Sequence, residues 1–346
     1  MTAPEDIIWL QTAFIGDVVL SSGAIELAAS SFPKSRQHLI STAIGCEVLK
    51  GSPSLKTRIS FSKKEAVWSS FPAVKKKLKE AGINFNKAVV LQVHRSMRSS
   101  LLCKYLGIKT ITYDETVGGF LAGERVRRDR SEHEVVRVAS LLEALGVSWE
   151  RIKSVKPKLQ PLALDDSVPW QMGLLDSNFK QVALAVGSQW GTKRWPLEHY
   201  QELTKKLLQN ENLVIWLLGS LSEKELTDSI ENKNPSKRIW NLAGKTSFDD
   251  LRRLFPKLDL LISNDSSPIH FASSFNIPIL AIFGPTIPSF GFGPLSEISA
   301  VVEHKNLSCR PCSDHGPQVC PLKHFRCMRE LTPESVYAVA QELLRR

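Results

Sequence analysis

Asp265 stands in Ser263-Asn264-Asp265-Ser266-Ser267-Pro268, a run of small polar residues between two apolar stretches, 258–262 and 279–283. The pattern predicts a strand, a polar turn, a short helix and a second strand. The helix start leaves backbone N–H groups unpaired at the positive end of the helix dipole, which makes an anion site. Asp265 would meet a hydroxyl or a cation, and Ser266 and Ser267 would lie at the helix start. His270 falls in its first turn, where a hydrogen-bonded structural histidine is the commoner outcome than a catalyst.

Other candidates occupy similar turns. Asp17 follows Gly16 where the first apolar run gives way to a helical pattern, and it reads either as a helix-capping carboxylate or as a general base. Lys193, in Gly191-Thr192-Lys193-Arg194-Trp195-Pro196, is a solvated basic residue or a phosphate ligand. Glu223 follows the turn at Gly219, as a first-turn acid or a ribose contact. Arg95 and Arg98, in His94-Arg95-Ser96-Met97-Arg98, are surface charge or a clamp for carboxylate or phosphate. Four cysteines, Cys309, Cys312, Cys320 and Cys327, crowd the C-terminal part. Their spacing is irregular for a zinc ribbon, so reduced thiols are expected first, with zinc on these four as the alternative.

Several chemistries are excluded by missing motifs. Gly244-Lys245-Thr246 resembles the end of a phosphate loop, but Ile239 stands where its first glycine should be. No G-x-G-x-x-G follows the first strand, and no Asp-x-Asp is present to hold a divalent metal on a diphosphate. Charge neutralisation would therefore fall to Lys, Arg and helix N-termini.

The elements that must hold these residues alternate strand and helix through two passes. The first has strands at 7–10 and 88–93, with helices at 18–31, 73–81, 99–106 and 132–145. The second has strands at 182–186, 213–218 and 239–242, helices at 197–209 and 247–255, the Asp265 segment, and a closing helix at 333–344. Pro157, Pro161 and Pro169 lie between the passes. The expected fold is α/β: two Rossmann-like, doubly wound parallel sheets whose ligand edges face a common cleft. The boundary is set between 165 and 166, with the closing helix free to return to the first domain.

The chain has 346 residues, 42% of them hydrophobic, and 45 Lys and Arg against 35 Asp and Glu, net +10. That surplus suits an anionic partner: nucleic acid, acidic lipid or a phosphorylated saccharide. The basic run 75–79 is a solvated helix face or a contact for an acidic membrane. No run of 18 apolar residues occurs and the opening residues lack a basic leader, so a cytoplasmic location is expected. No nucleic-acid module is recognisable and the basic residues are dispersed, so nucleic acid is not expected as a partner.

Taken in order, these motifs resemble the ADP-heptose lipopolysaccharide heptosyltransferases. The likeness is carried by Phe14-Ile15-Gly16-Asp17-Val18-Val19, His94-Arg95-Ser96, Lys193-Arg194-Trp195-Pro196 and Asn241-Leu242-Ala243-Gly244-Lys245-Thr246-Ser247. Asn264-Asp265-Ser266 with His270 adds to it, as does Cys309-Arg310-Pro311-Cys312 with Cys320-Pro321 and His324-Phe325-Arg326-Cys327-Met328-Arg329. The resemblance implies a GT-B glycosyltransferase with no cofactor and no essential metal. Residues 1–165 would bind the lipopolysaccharide core acceptor, with Arg95 and Arg98 as contacts, and residues 166–346 the ADP-heptose donor. Asp17 would be the general base of an inverting transfer, Lys193 the diphosphate contact and Glu223 the ribose contact. Asp265 would meet the heptose, the Ser266 and Ser267 amides the phosphates, and His270 would belong to the donor set. Peripheral contact with the inner membrane is part of the same expectation. Ser267 departs from the family, which usually has Gly there. A GT-B transferase of another nucleotide-sugar and a nucleic-acid-binding protein are the rival readings.

Overall fold

The computed structural model describes residues 3–62, 64–165, 168, 170 and 178–346. The chain divides into two units, Met1–Gln160 and Pro161–Arg346. Asp166 and Pro169, at the boundary expected from sequence, lie outside the described residues.

The first unit runs β1 (Asp6–Leu10), α1 (Ile15–Ser31), β2 (Arg36–Ser41), α2 (Ala43–Val48), β3 (Thr57–Ser60) and α3 (Val67–Glu80). It continues with β4 (Ala88–Gln92), α4 (Met97–Leu106), β5 (Lys109–Tyr113), β6 (Glu124–Val126), α5 (Glu134–Ser140) and α6 (Trp149–Lys153). Its sheet has the order β3-β2-β1-β4-β5-β6, every pair parallel. Strands covered on both faces read as unbroken apolar runs, and β1 and β4 are buried at all five positions. Phe71, Val74 and Leu78 of α3 and Leu102 and Leu106 of α4 share one core with Ile8, Leu10 and Val90 of the sheet. Helix α1 packs against α5.

The second unit repeats the plan. It contains β7 (Lys180–Ala185), α7 (Leu197–Leu207), β8 (Leu213–Leu218), α8 (Lys224–Lys233), β9 (Ile239–Asn241), α9 (Phe248–Leu254) and β10 (Leu260–Asn264). Then follow α10 (Ser267–Ser274), β11 (Ile279–Phe283), β12 (Ser299–Glu303), α11 (Arg326–Arg329) and α12 (Pro333–Arg345). The sheet order is β12-β11-β10-β7-β8-β9, again all parallel. Helix α12 packs on α7, β10, β11 and β12, sinking Val336, Ala340 and Leu343 into the second unit's core.

Counted within its own unit, each sheet has the order 3-2-1-4-5-6. In such a sheet the winding reverses between strands 1 and 4, and the loops leaving those strands part to leave a crevice for ligand. The reversal falls between β1 and β4 in the first unit and between β7 and β10 in the second.

Candidate active site

The second unit brings its predicted residues together at that reversal. Lys193 lies in a 3₁₀ turn in the loop after β7, and Asp265 directly follows β10. Lys193 Nζ stands 2.6 Å from Asp265 Oδ2, with both side chains largely buried. Asn264 fixes the spacing. Its amide nitrogen donates to Val186 O (2.8 Å) and its oxygen accepts from Trp195 N and the Tyr200 hydroxyl, each at 3.0 Å. One buried side chain thus ties the ends of β7 and β10, satisfying polar groups that burial would otherwise penalise.

Helix α10 begins at Ser267, with Ser266 as an extended cap residue and Pro268 in the first turn. No side chain caps this end, so its first amides suit an anion. Ser266 and Ser267 are half-buried, while His270 is buried beside the Phe292 ring at 6.1 Å. Glu223 accepts from Ser220 N (2.7 Å) and Ser220 Oγ (2.9 Å), and its carboxylate lies directly against Gly187. Any side chain at Gly187 would collide with it.

Two residues not read from sequence complete this half. The Thr286 hydroxyl donates to Asp265 Oδ2 at 2.6 Å, so the oxygen that meets Lys193 is held from two sides. Arg310, its side chain buried, donates to Gly284 O, to Thr286 O (2.8 Å) and to Glu303 (2.9 Å). Cys312 N donates to Pro285 O at 2.8 Å. Farther along, Gln318 accepts from Gly191 N and donates to Gln189 O, both at 3.0 Å, and Thr192 bonds to Pro317 O. The His315 ring stacks on Trp190. Gly316, with φ +77°, packs so closely on Pro285 and Thr192 that a Cβ there would crowd both, and it lies in contact range of Lys193. The segment 310–318 therefore braces both the Lys193 turn and the turn after β11.

The four clustered cysteines lie along and beyond the same segment. All six cysteines are free, and among the described residues no three His, Cys, Asp or Glu side chains are placed to hold a metal. The Cys312 thiol donates to Cys309 O (3.4 Å), Cys309 Sγ faces His324 Nε2 at 3.9 Å, and Cys327 is buried in the core. Burial, and then the neighbouring Cys312, Cys320 and Cys309, push the Cys327 thiol up to about 11, so the four sulfurs of the zinc alternative, Cys309, Cys312, Cys320 and Cys327, are neighbours, although no metal-holding group is formed among the described residues.

In the first unit Asp17 lies in the first turn of α1, after β1, and Arg95 follows β4. His94 bonds Thr12 at 2.9 Å and so links the two strand ends. Asp17 is half-buried by accessible surface, yet it is packed deeply enough that desolvation pushes its carboxyl up to about 7. The nearby Glu134 carboxylate adds to the rise, whereas a Phe14 backbone hydrogen bond, Arg128 and Arg95 oppose it. Arg128 pairs with both Glu134 and Glu115 (3.1 Å), and Arg137 reaches Glu134 at 3.1 Å. Arg95 also pairs with Glu115. Arg98 turns back into the fold. Its guanidinium lies 5.3 Å from the Phe61 ring and donates to Ser62 O, Glu65 O and Ser70 Oγ.

Two parallel 3-2-1-4-5-6 sheets, each with polar side chains gathered at its reversal point, are the architecture of the GT-B glycosyltransferases. Residues 72–323 match the model of glycosyltransferase family 9 (heptosyltransferase), and the chain belongs to that family. It is 26% identical over 339 residues to lipooligosaccharide heptosyltransferase 2 of Campylobacter jejuni, covering 96% of each chain. Among solved structures it is similar to a family 9 glycosyltransferase of Veillonella parvula, with TM-score 0.82 and 21% identity over 99% of this chain and 98% of that one. It is also similar to the ADP-heptose lipopolysaccharide heptosyltransferase II of E. coli, with TM-score 0.77 and 22% identity over 98% of each chain.

Proposed function

We propose that the chain transfers L-glycero-D-manno-heptose from ADP-heptose to the inner core of lipopolysaccharide, with inversion and without a metal. The observation that carries this is the Lys193–Asp265–Thr286 group beside the uncapped start of α10. It combines a cation and helix amides for a diphosphate with a carboxylate for a sugar hydroxyl. Glu223 is assigned to the ribose and His270 supports the α10 turn. Asp17 removes the proton from an acceptor hydroxyl as that oxygen bonds to the anomeric carbon. The bond from that carbon to the donor phosphate breaks, and ADP leaves with its charge met by Lys193 and the Ser266 and Ser267 amides. The transition state has oxocarbenium character, as in inverting glycosidases. Arg95 is assigned to the anionic acceptor, and Arg98 supports it by fixing the neighbouring loop.

The first unit is assigned to the acceptor and the second to the donor. The acceptor is lipid-linked, so the protein is proposed to work peripherally at the cytoplasmic face of the inner membrane. Among the described residues no helix is long and apolar enough to cross a membrane. Mass spectrometry of a core oligosaccharide incubated with ADP-heptose tests the reading. A gain of one heptose, retained in EDTA, is expected; no gain, or a gain from a UDP-sugar in its place, refutes it.

A further inference from the structure

The charge of this chain is divided unevenly. Residues 1–160 carry 25 Lys and Arg against 15 Asp and Glu, whereas residues 161–346 carry 20 of each. The whole surplus of +10 belongs to the first unit. Within that unit α3 and α4 lie side by side over one face of the sheet. Tyr105 of α4 packs on Phe71 of α3 with ring centroids 5.8 Å apart, and Lys75 donates to Tyr105 O at 3.3 Å.

The outward face of this pair is neither plainly polar nor plainly apolar. Trp68, at the start of α3, is 83% exposed. On a helix it shares a stripe with Pro72, Lys76 and Lys79, at i+4, i+8 and i+11. On α4, Met97, Leu101 and Tyr105 recur at every fourth residue and are all exposed, with Lys104 beside them. The 3₁₀ turn Gly119–Leu121 abuts α4 and presents Phe120, 74% exposed. Lysines with long apolar stems beside exposed Trp and Phe rings are the composition of a surface that lies in a lipid headgroup layer.

We infer that the outward face of α3, α4 and the Phe120 turn is a docking surface for an anionic lipid bilayer, with Trp68 and Phe120 inserted and Lys76, Lys79 and Lys104 on the headgroup phosphates. The occupant follows from charge complementarity: a cationic unit with protruding aromatic rings fits an acidic, apolar-cored surface. The biological setting rests on the lipid-linked acceptor proposed above, while the surface itself is argued from exposure and charge alone. Docking would hold the first unit where that acceptor is anchored.

The full-length protein is floated with vesicles of phosphatidylcholine alone and of phosphatidylcholine and phosphatidylglycerol in equal parts. Flotation is expected with the anionic vesicles only, and it is lost in about 1 M NaCl, where the Debye length falls to roughly 3 Å. K76Q/K79Q should weaken partition on the order of 25-fold, because each lysine near an acidic surface contributes about fivefold. W68S/F120S should weaken it at least about tenfold through lost apolar burial. Both variants should still transfer heptose to a water-soluble core oligosaccharide. Equal binding to neutral vesicles, or undiminished flotation of both variants, overturns the docking surface. So does a change in sedimentation mass in W68S/F120S without a change in flotation, which would make the face a contact between copies. Tight salt-sensitive binding of single-stranded nucleic acid with no flotation also overturns it. Flotation without heptose transfer would remove the proposed reaction and leave the docking surface standing.

Discussion

The two units are built on one topology, yet they hold their polar residues in opposite ways. In the second, the key carboxylate is held in place: Asp265 Oδ2 meets Lys193 and Thr286 at 2.6 Å each, and a buried asparagine pins both strand ends. In the first, Asp17 makes no ion pair among the described residues; Arg128 and Arg95 are engaged by Glu115, and Glu134 is a repelling neighbour. A carboxylate held by a cation and a hydroxyl is fixed in position to bind, whereas a desolvated carboxyl titrating near neutrality can take and release a proton. On the proposed reaction, identical frames yield a binding half and a proton-transfer half, according to the neighbours each carboxylate is given.

This contrast is open to direct attack. The largest effect is expected from Asp17→Ala, which should lower kcat by roughly 100- to 10,000-fold with ADP affinity unchanged in calorimetry. Equal losses in kcat and ADP affinity would erase the division of labour. Lys193→Ala should lower kcat about 100-fold and also weaken ADP, since it removes a charge that stabilises the leaving group. A melting curve is needed beside it, because Asp265 is left buried without its cation. Thr286→Val should cost about tenfold in kcat/KM, by releasing one of two holds on Asp265. No change would show that Lys193 alone orients that carboxylate.

The smallest effect concerns pH. With Asp17 as the proposed base, kcat/KM should rise with pH, reach half its limit near 7 and level off above it. Glu134→Gln removes a repelling charge and should move that limb down by roughly one unit. An unmoved limb would separate Glu134 from the base. The linked stability runs the other way. A carboxyl whose folded pKa is raised favours the folded state when protonated, so stability should fall as pH rises from about 4 toward 7. Asp17→Asn should flatten that slope in chemical denaturation.

The strands nearest each reversal were legible because they are buried on both faces: β1, β4, β7, β10 and β11 are nearly continuous apolar runs. Strand β2 was not, because Gln37 and His38 interrupt it. Both are buried, and each is satisfied from a distant residue: Trp9 Nε1 donates to Gln37 at 2.8 Å, and His38 meets Asp6 at 2.9 Å. Sequence spacing cannot announce such partners. Helix α8, with Lys, Glu and Asp on most of its faces, hides its two buried residues, Thr227 and Ile230, in the same way. Lys193 and Asp265 were visible as turn residues, but the use of one by the other was not, because 72 positions separate them. Thr286 was missed, since a threonine just past the apolar run 279–283 carries no signal until its acceptor is known. The first-unit helix expected through 145 instead ends as α at Ser140 and continues as a 3₁₀ turn, Leu141–Leu145.

The brace formed by residues 310–318 has a mechanical meaning. It is fastened at one end by Arg310 to the turn after β11 and at the other by Gln318 to the loop after β7. Those two loops carry Thr286 and Lys193, which close on the same carboxylate oxygen. The brace works as a ruler, because the nine residues 310–318 must reach from one fastening to the other. Adding or removing one residue between Arg310 and Gln318 would pull Lys193 and Thr286 apart without altering any group that touches Asp265. What this stretch must keep is its length.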